Sequence, residues 1–496
     1  MADDETLAQD GRIAVGGRDL ALFGLLGFSA GLPFYMFSTV LALRLVQHGT
    51  GIVVIGFFAW VTLLPTLKFV WAPLLDRYDV PGFARHWGKR RGWIMLAQLG
   101  ISSATVAMAL TSDDASLALT ALFAVLLAFW TTTLEIASDA WRIELFPTRE
   151  QQGPVVAASI WGYRSAMVAA GSGALIVADR AGWSAAYLVI AAIAFLPFLV
   201  LAAMPSNGSG GRGTALLAGT VASASILLAF AIGAAAIGWV LFAVAARSGL
   251  GATTNVAPVV LGACMLPFLA MAIAVPRIRR LGWDAPLRQS LVLGPYVDFF
   301  WRYGGGALAI MAFVSLYRMG DVLALTLAKP LANSLGYTLT QIGVADGTVA
   351  LAASMAGVAL GGWLTTRWPA AGTLALGAVF AGLGNCALVW LAHQQVGEGA
   401  LYVATAVDQF GNGFAGTVFV VYLSLLVNPR YPGAQYAFLA GFAFLLPRML
   451  AGASGAMQQR IGYDGFFLLS GALSLAAILL LPVVVRLRPR PSDEPA

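Results

Sequence analysis

The feature that most constrains this chain is the recurrence of long apolar runs. Runs of about 20 or more apolar residues, enough to cross a bilayer as a helix, lie near residues 20–46, 51–75, 92–110, 117–142, 154–178, 185–204, 215–246, 254–275, 305–332, 341–365, 371–392, 399–427, 433–458 and 464–486. Lipid offers the backbone no hydrogen-bond partners, so such runs fold as transmembrane helices. With 59% hydrophobic and 10% charged residues, a water-soluble globular protein is excluded. The 56 glycines and the lack of period-2 alternation favour tightly packed helices over a barrel. The expected class is an all-α integral membrane protein with 14 transmembrane helices. Its acidic start, MADDETLAQD, and the length of the first apolar run predict that the first span is retained and is no cleaved signal.

The formal net charge of +6 suggests nucleic acid until the positions of the basic residues are examined. With the N-terminus placed in the cytoplasm, 20 arginines and lysines fall in cytoplasmic segments. Only Arg180, Arg247 and Arg460 fall on the other side. This asymmetry predicts both termini in the cytoplasm, contact with anionic membrane lipids and no nucleic-acid partner. Cys264 and Cys386 sit within apolar runs, and the three histidines show no metal-ligand spacing, so no disulfide, metal or cofactor is expected.

The chain also resembles itself. YRSAMVAAGSGALIVADRAGW at 163–183 aligns with PRMLAGASGAMQQRIGY at 447–463, with Arg164 on Arg448 and one helical turn deleted before RAGW and RIGY. IGFF at 55–58 pairs with IGVA at 342–345, at a similar offset. Two halves of six spans in the same order are the pattern of parallel-repeat transporters. The predicted organisation is a tail at 1–19, a six-helix bundle at 20–204, a linker at 205–304, a second bundle at 305–486 and a tail at 487–496. The linker carries two extra helices and a cytoplasmic loop.

A charge left inside a membrane is costly and marks function by default, at roughly 2.5 to 3.5 kcal/mol on insertion scales. Glu135, Asp139 and Arg142 follow at i, i+4 and i+7, along one stripe of the fourth span. Glu135 is deeper and is read as the functional acid, with an ion pair to Arg164 as the structural alternative. Asp139 is read as a gate residue pairing with Arg77 or the Gly88-Lys89-Arg90-Arg91 segment. Arg164 and Arg448 lie mid-span and need an anion, a carbonyl or water. Arg44, Lys68 and Lys329 are close enough to span ends to snorkel. The second half supplies Arg318 and Asp321, then Asp408, Gln409 and Asn412 on a glycine-rich helix whose Gly411, Gly413 and Gly416 are read as packing residues. With the extra pair set aside, the deepest acids fall on the fourth, seventh and tenth core helices.

KFVWAPLLDRYDVPGFARHWGKRRGW at 68–93 resembles the second helix and basic loop of the AmpG muropeptide permease family, a branch of the major facilitator superfamily. LLGFSAGLPF at 25–34, SDAWRIELFP at 138–147, GYR at 162–164, LYRMGD at 316–321 and the stretch from Asp408 to Gly452 resemble it too. The resemblance implies a major facilitator fold, two six-helix bundles with two further helices between them. It also implies proton-driven import of N-acetylglucosaminyl-1,6-anhydro-N-acetylmuramyl peptides. The loop motif falls on Asp76, Arg77, Gly88, Lys89, Arg90 and Arg91, the fourth-helix acids on Glu135 and Asp139, and the tenth-core-helix acid on Asp408. Familiar members carry Ser-Gln-Asp where this chain has Thr133-Leu134-Glu135, and Glu-Asn where it has Asp408-Gln409.

These readings predict a proton-coupled secondary transporter of the bacterial inner membrane, acting as a monomer; no nucleophile-base set or nucleotide loop stands out, so no enzyme is expected. Glu135, Asp321 and Asp408 are assigned to proton coupling. Tyr35, Trp130, Arg164, Arg318, Gln409, Asn412 and Arg448 are assigned to a glycopeptide substrate, the arginines to its carboxylates and the aromatics, with Phe34, to its sugars. Asp76, Arg77, Arg90, Arg91 and Asp139 are assigned to a gate. The rivals are a permease or exporter for another glycan or amphiphile, a non-transporting sensor, and a membrane-embedded enzyme.

Overall fold

The computed structural model describes residues 15–47, 59–80, 82–111, 117–205, 270–451 and 453–491. Ten helical runs among them are long and apolar enough to cross a membrane. One, Arg149–Ala203, has 55 residues. At 1.5 Å per residue it is about twice as long as a single crossing requires, and it breaks at Gly182, where φ is 84°. Ser454–Val484 breaks the same way at Gly462, φ 72°. Only glycine takes this left-handed conformation without penalty. The two breaks are the glycines of RAGW and RIGY, so the internal repeat extends to the backbone.

Twelve spans result among the described residues. In the first bundle α1 is Gly17–Leu45, α2 combines a tight 3-10 stretch Ala59–Val70 with Ala72–Arg77, α3 is Lys89–Leu110 and α4 is Leu117–Leu145. The run Arg149–Ala203 supplies α5 before Gly182 and α6 after it. In the second bundle α7 is Gly306–Ser334, α8 Thr340–Thr365, α9 Ala370–Ala392 and α10 Glu398–Leu426. Pro432–Ala451 and the run from Ser454 to Gly462 form α11, and the remainder to Val484 forms α12. The extra pair expected at 215–246 and 254–275 lies almost wholly outside the described residues, as does IGFF at 55–58. Large apolar side chains such as Leu196, Leu325, Leu468 and Leu479 point outward, as a surface solvated by lipid requires.

Within each bundle, glycines let helices touch backbone to backbone. A Cβ on Gly162 would lie 1.8 Å from the carbonyl oxygen of Gly24, and one on Gly27 would lie 1.9 Å from that of Ser159. No side chain fits at the α1/α5 crossing. Gly357 and Gly413 make the corresponding close approach between α8 and α10, and Gly411 meets the Phe380 carbonyl of α9. Gly162→Ala is expected to lower the thermal unfolding temperature in detergent by about 2 to 6 °C through overpacking. Gly343→Ala, where a Cβ meets nothing within 4 Å, is the control and should leave it unchanged.

The bundles meet along two seams, α2 against α11 and α5 against α8. In the repeat, α2 corresponds to α8 and α5 to α11, so the seams exchange under the internal pseudo-symmetry. The contacts lie toward the membrane face that carries the ends of α2 and α4 and the starts of α5 and α11, here called the terminal face. There Gly153 of α5 abuts Gly362 and Thr365 of α8. Trp161 donates to the Met355 carbonyl at 3.0 Å, and on the other seam Gly441 of α11 rests on the Thr66 carbonyl.

The stretch 276–302, expected to be loop, is partly helical. Gly294–Tyr303 forms a helix whose Tyr296, Phe299, Phe300 and Trp301 are buried. Its aromatic side chains are stabilised under α11, where Phe299 and Phe300 pack on Phe438. Asp298 accepts from Gln435 and Asn428, each at 2.9 Å, tying the linker to the α10–α11 turn.

Candidate functional site

The acid stripe of α4 faces the α2/α11 seam. Glu135 carries an ion pair, but with Lys68 of α2, Nζ to Oε2 3.5 Å, and not with Arg164. Lys68 is buried and does not snorkel. Its Nζ also lies 3.9 Å from Asp139 and over the ring of Tyr436, 5.8 Å from its centroid. The Glu135 side chain keeps 20% of its exposure, so the pair is enclosed by protein and still reachable by water.

One turn nearer the terminal face, Asp139 pairs with Arg142 at 3.0 Å. It contacts neither Arg77 nor the basic loop, because α4 presents it to the seam and not to the membrane surface. Arg142 is almost fully buried and bridges the bundles, donating to Ser424 of α10 at 3.0 Å and stacking on Tyr436 at 5.5 Å. Lower still, Asp76 accepts from Arg90 at 2.8 Å and from the amides of Gly433 and Ala434, at 3.1 and 2.7 Å, at the start of α11. Those amides have no intrahelical acceptor, and the helix dipole adds to the attraction for a carboxylate. Glu144 holds the other side of Arg90 at 2.6 Å. Arg91 instead donates to the carbonyls of Leu201, Met204 and Pro205, fastening the end of α6.

Toward the middle of the membrane, Arg164 of α5 reaches across to Asn412 of α10 at 3.2 Å. Arg448 of α11 donates to Thr66 of α2 and lies against Phe444. The repeat-related arginines thus both cross between bundles. Arg318 and Asp321, given separate roles from sequence, form a buried ion pair on α7 at 2.7 Å. Asp408 accepts from Gln409 at 2.9 Å and packs at Gly384 of α9. Phe34, Tyr35 and Tyr163 form an aromatic group beside Arg164. Trp130 does not join it, since its indole lies on Gly100 of α3 and buttresses the α3/α4 contact.

The other two expected snorkelers differ from each other. Arg44 is buried and caps the end of α3 through the carbonyls of Met108 and Thr111, 2.9 and 2.7 Å. Lys329 is exposed and pairs with Asp346 at 2.7 Å. Sequence reasoning missed Lys68, Thr66, Ser424 and Tyr436. Lys68 stands eight residues before Asp76, about two turns up the same helical face, and that spacing was the available signal. The other three carry no sequence signal, because each acts through a partner on the opposite bundle.

A model of the Major Facilitator Superfamily matches residues 308–496. The AmpG 4 protein of Rickettsia conorii is 27% identical over 468 residues, covering 94% of this chain and 96% of that one. The anhydromuropeptide permease of Escherichia coli K12 is 26% identical over 468 residues, covering 93% of this chain and 79% of that one. The AmpG 3 protein of Rickettsia prowazekii is 23% identical over 464 residues. Two helical bundles joined across a buried ionic seam on one side and a glycine contact on the other, together with these matches, define a multi-pass membrane transporter with the major facilitator fold. Within that class its similarity to the Rickettsia conorii AmpG 4 protein and to the Escherichia coli permease runs along nearly the whole chain.

Proposed function

We propose that the protein imports anhydromuropeptides across the bacterial inner membrane together with protons, by rocking its two bundles about a central site. The Lys68–Glu135 pair at the α2/α11 seam carries this reading. Among the described residues it is the deeper of two acid contacts that join α4 to Lys68 of α2, the helix forming the bundle contact, so its protonation acts on that contact. Neutralising Glu135 removes the attraction that holds Lys68 between the acids and Tyr436, loosening the seam. Coupling then follows because proton affinity differs between the paired and separated states. Asp321, paired with Arg318, and Asp408 complete the coupling set on the second bundle.

Arg164, Asn412 and Gln409, with Arg318 and Arg448, are proposed to take the peptide carboxylates and sugar hydroxyls, with Tyr35 as a stacking face. Asp76, Arg90 and Asp139 close the terminal face, with Arg77 at its rim and Arg91 behind them fastening the end of α6. The basic asymmetry of the sequence supports a cytoplasmic terminal face, which makes this arrangement one closed to the cytoplasm. Bundles 20–204 and 305–486 are the moving bodies and 205–304 the strap between them. The name of the Escherichia coli relative, an anhydromuropeptide permease, supports the substrate class.

Proteoliposomes holding the purified protein are expected to accumulate labelled anhydromuropeptide when the outside is acidic, and to lose that accumulation when a protonophore is added. Uptake indifferent to the pH gradient would reject proton coupling. Binding without flux would instead favour a sensor, and transport of another solute alone would reject the substrate.

A further inference from the structure

A cavity of about 360 Å³ opens at the terminal face, at the end of the α2/α11 seam. Its wall is built from three parts of the chain: Asp76 and Arg77 at the end of α2, Arg288 and Ser290 of the linker, and Arg430 before α11. All three cationic side chains in the wall are arginines. The acid in it, Asp76, is engaged by Arg90 and by two α11 amides, so the charged lining is three arginines to one carboxylate.

Two of the three guanidinium groups, those of Arg288 and Arg430, are held in position by tryptophans. Arg430 lies over Trp283 at 4.5 Å, Arg288 over Trp283 at 5.0 Å and over Trp301 at 4.0 Å, and Arg490 over Trp301 at 4.7 Å. The result is an alternating arginine–tryptophan ladder with the buried Arg288 at its centre, its Nη1 also donating to the Leu281 carbonyl at 3.3 Å. Stacking fixes the guanidinium planes before any ligand arrives, so less entropy is lost on binding. Planar forks converging from three sides match the tetrahedral oxygens of phosphate better than a single carboxylate.

We infer that this cavity binds a phosphate-bearing anion, either a phospholipid headgroup or a free phosphate compound. Arg77 belongs to the first bundle and Arg430 to the second, so the anion bridges them at the point where Asp76 meets α11. It therefore binds the closed terminal face in preference to the open one and shifts the population toward it. This site is independent of the transported substrate.

The test compares wild type with Arg430→Gln and Arg77→Gln, both exposed positions that should fold. Thermal unfolding in phosphatidylcholine nanodiscs is followed against inorganic phosphate at constant ionic strength, and again in phosphatidylglycerol nanodiscs. Wild type is expected to be stabilised saturably by inorganic phosphate, by phosphatidylglycerol, or by both. Each substitution should weaken the apparent affinity about tenfold for the loss of one charge-assisted contact. Phosphate stabilisation that persists in phosphatidylglycerol assigns the site to a free compound. Its disappearance there, with phosphatidylglycerol retained on wild type and lost from Arg430→Gln in mass spectra, assigns it to a lipid headgroup. No stabilisation by either anion, or equal stabilisation of both variants and wild type, overturns the site.

Discussion

Glu135→Gln is expected to abolish concentrative uptake while substrate binding and downhill exchange remain measurable. Glutamine keeps the volume of the side chain and a hydrogen-bond acceptor for Lys68, now 3.5 Å from Glu135, but holds the site permanently in the neutral form. A carrier locked neutral cycles with substrate and moves no proton. A pH difference of one unit sustains about tenfold accumulation per proton carried, since 1.4 kcal/mol is a factor of ten. The accumulation ratio of the variant should therefore fall to about one at any imposed gradient. Accumulation at the wild-type ratio would remove Glu135 from coupling and leave Asp321 and Asp408 as the acids to test.

Asp76→Ala is expected to shift the conformational equilibrium toward a state open at the terminal face. The substitution deletes the acceptor for two α11 amides and for Arg90. Hydrogen bonds to a charged group contribute about 1.5 to 3 kcal/mol each, but Arg90 keeps Glu144 and the Leu75 carbonyl. A net loss of about 2 kcal/mol, roughly one charged bond, multiplies the open population about thirtyfold. Spin labels at Arg85 and Pro429, exposed on opposite bundles on the α2/α11 side of the terminal face, report it by pulsed dipolar spectroscopy. The longer distance should grow from a minor to a major component in Asp76→Ala. An unchanged distance distribution would show that the carboxylate does not hold the face shut.

The fold was largely legible in the sequence because lipid imposes a length rule on every span and glycine marks the breaks. Gly182 and Gly462 appear in the repeat as RAGW and RIGY, and both prove to be turns of positive φ. The linker helix Gly294–Tyr303 was not legible, since its apolar surface is spent against α11 and the segment is too short to read as a span. At the candidate site the depth and face of Glu135 followed from helical spacing, yet its partner did not. Spacing along one helix cannot reveal that Lys68 enters from α2 while Arg164 reaches past it to Asn412. Trp130 illustrates the opposite failure, an aromatic at the right depth whose ring is taken up by Gly100.

The two seams are related by the repeat but differ in chemistry. Where α2 meets α11 the bundles are fastened by a carboxylate on helix amides and by Lys68, set among Glu135, Asp139 and Tyr436. Where α5 meets α8, Gly153 and Gly362 lie in close contact with no charged group between them. One edge therefore behaves as a latch and the other as a hinge pin. If the bundles rock as proposed above, a latch on only one edge makes the opening lopsided, with the gap widening first beside Asp76.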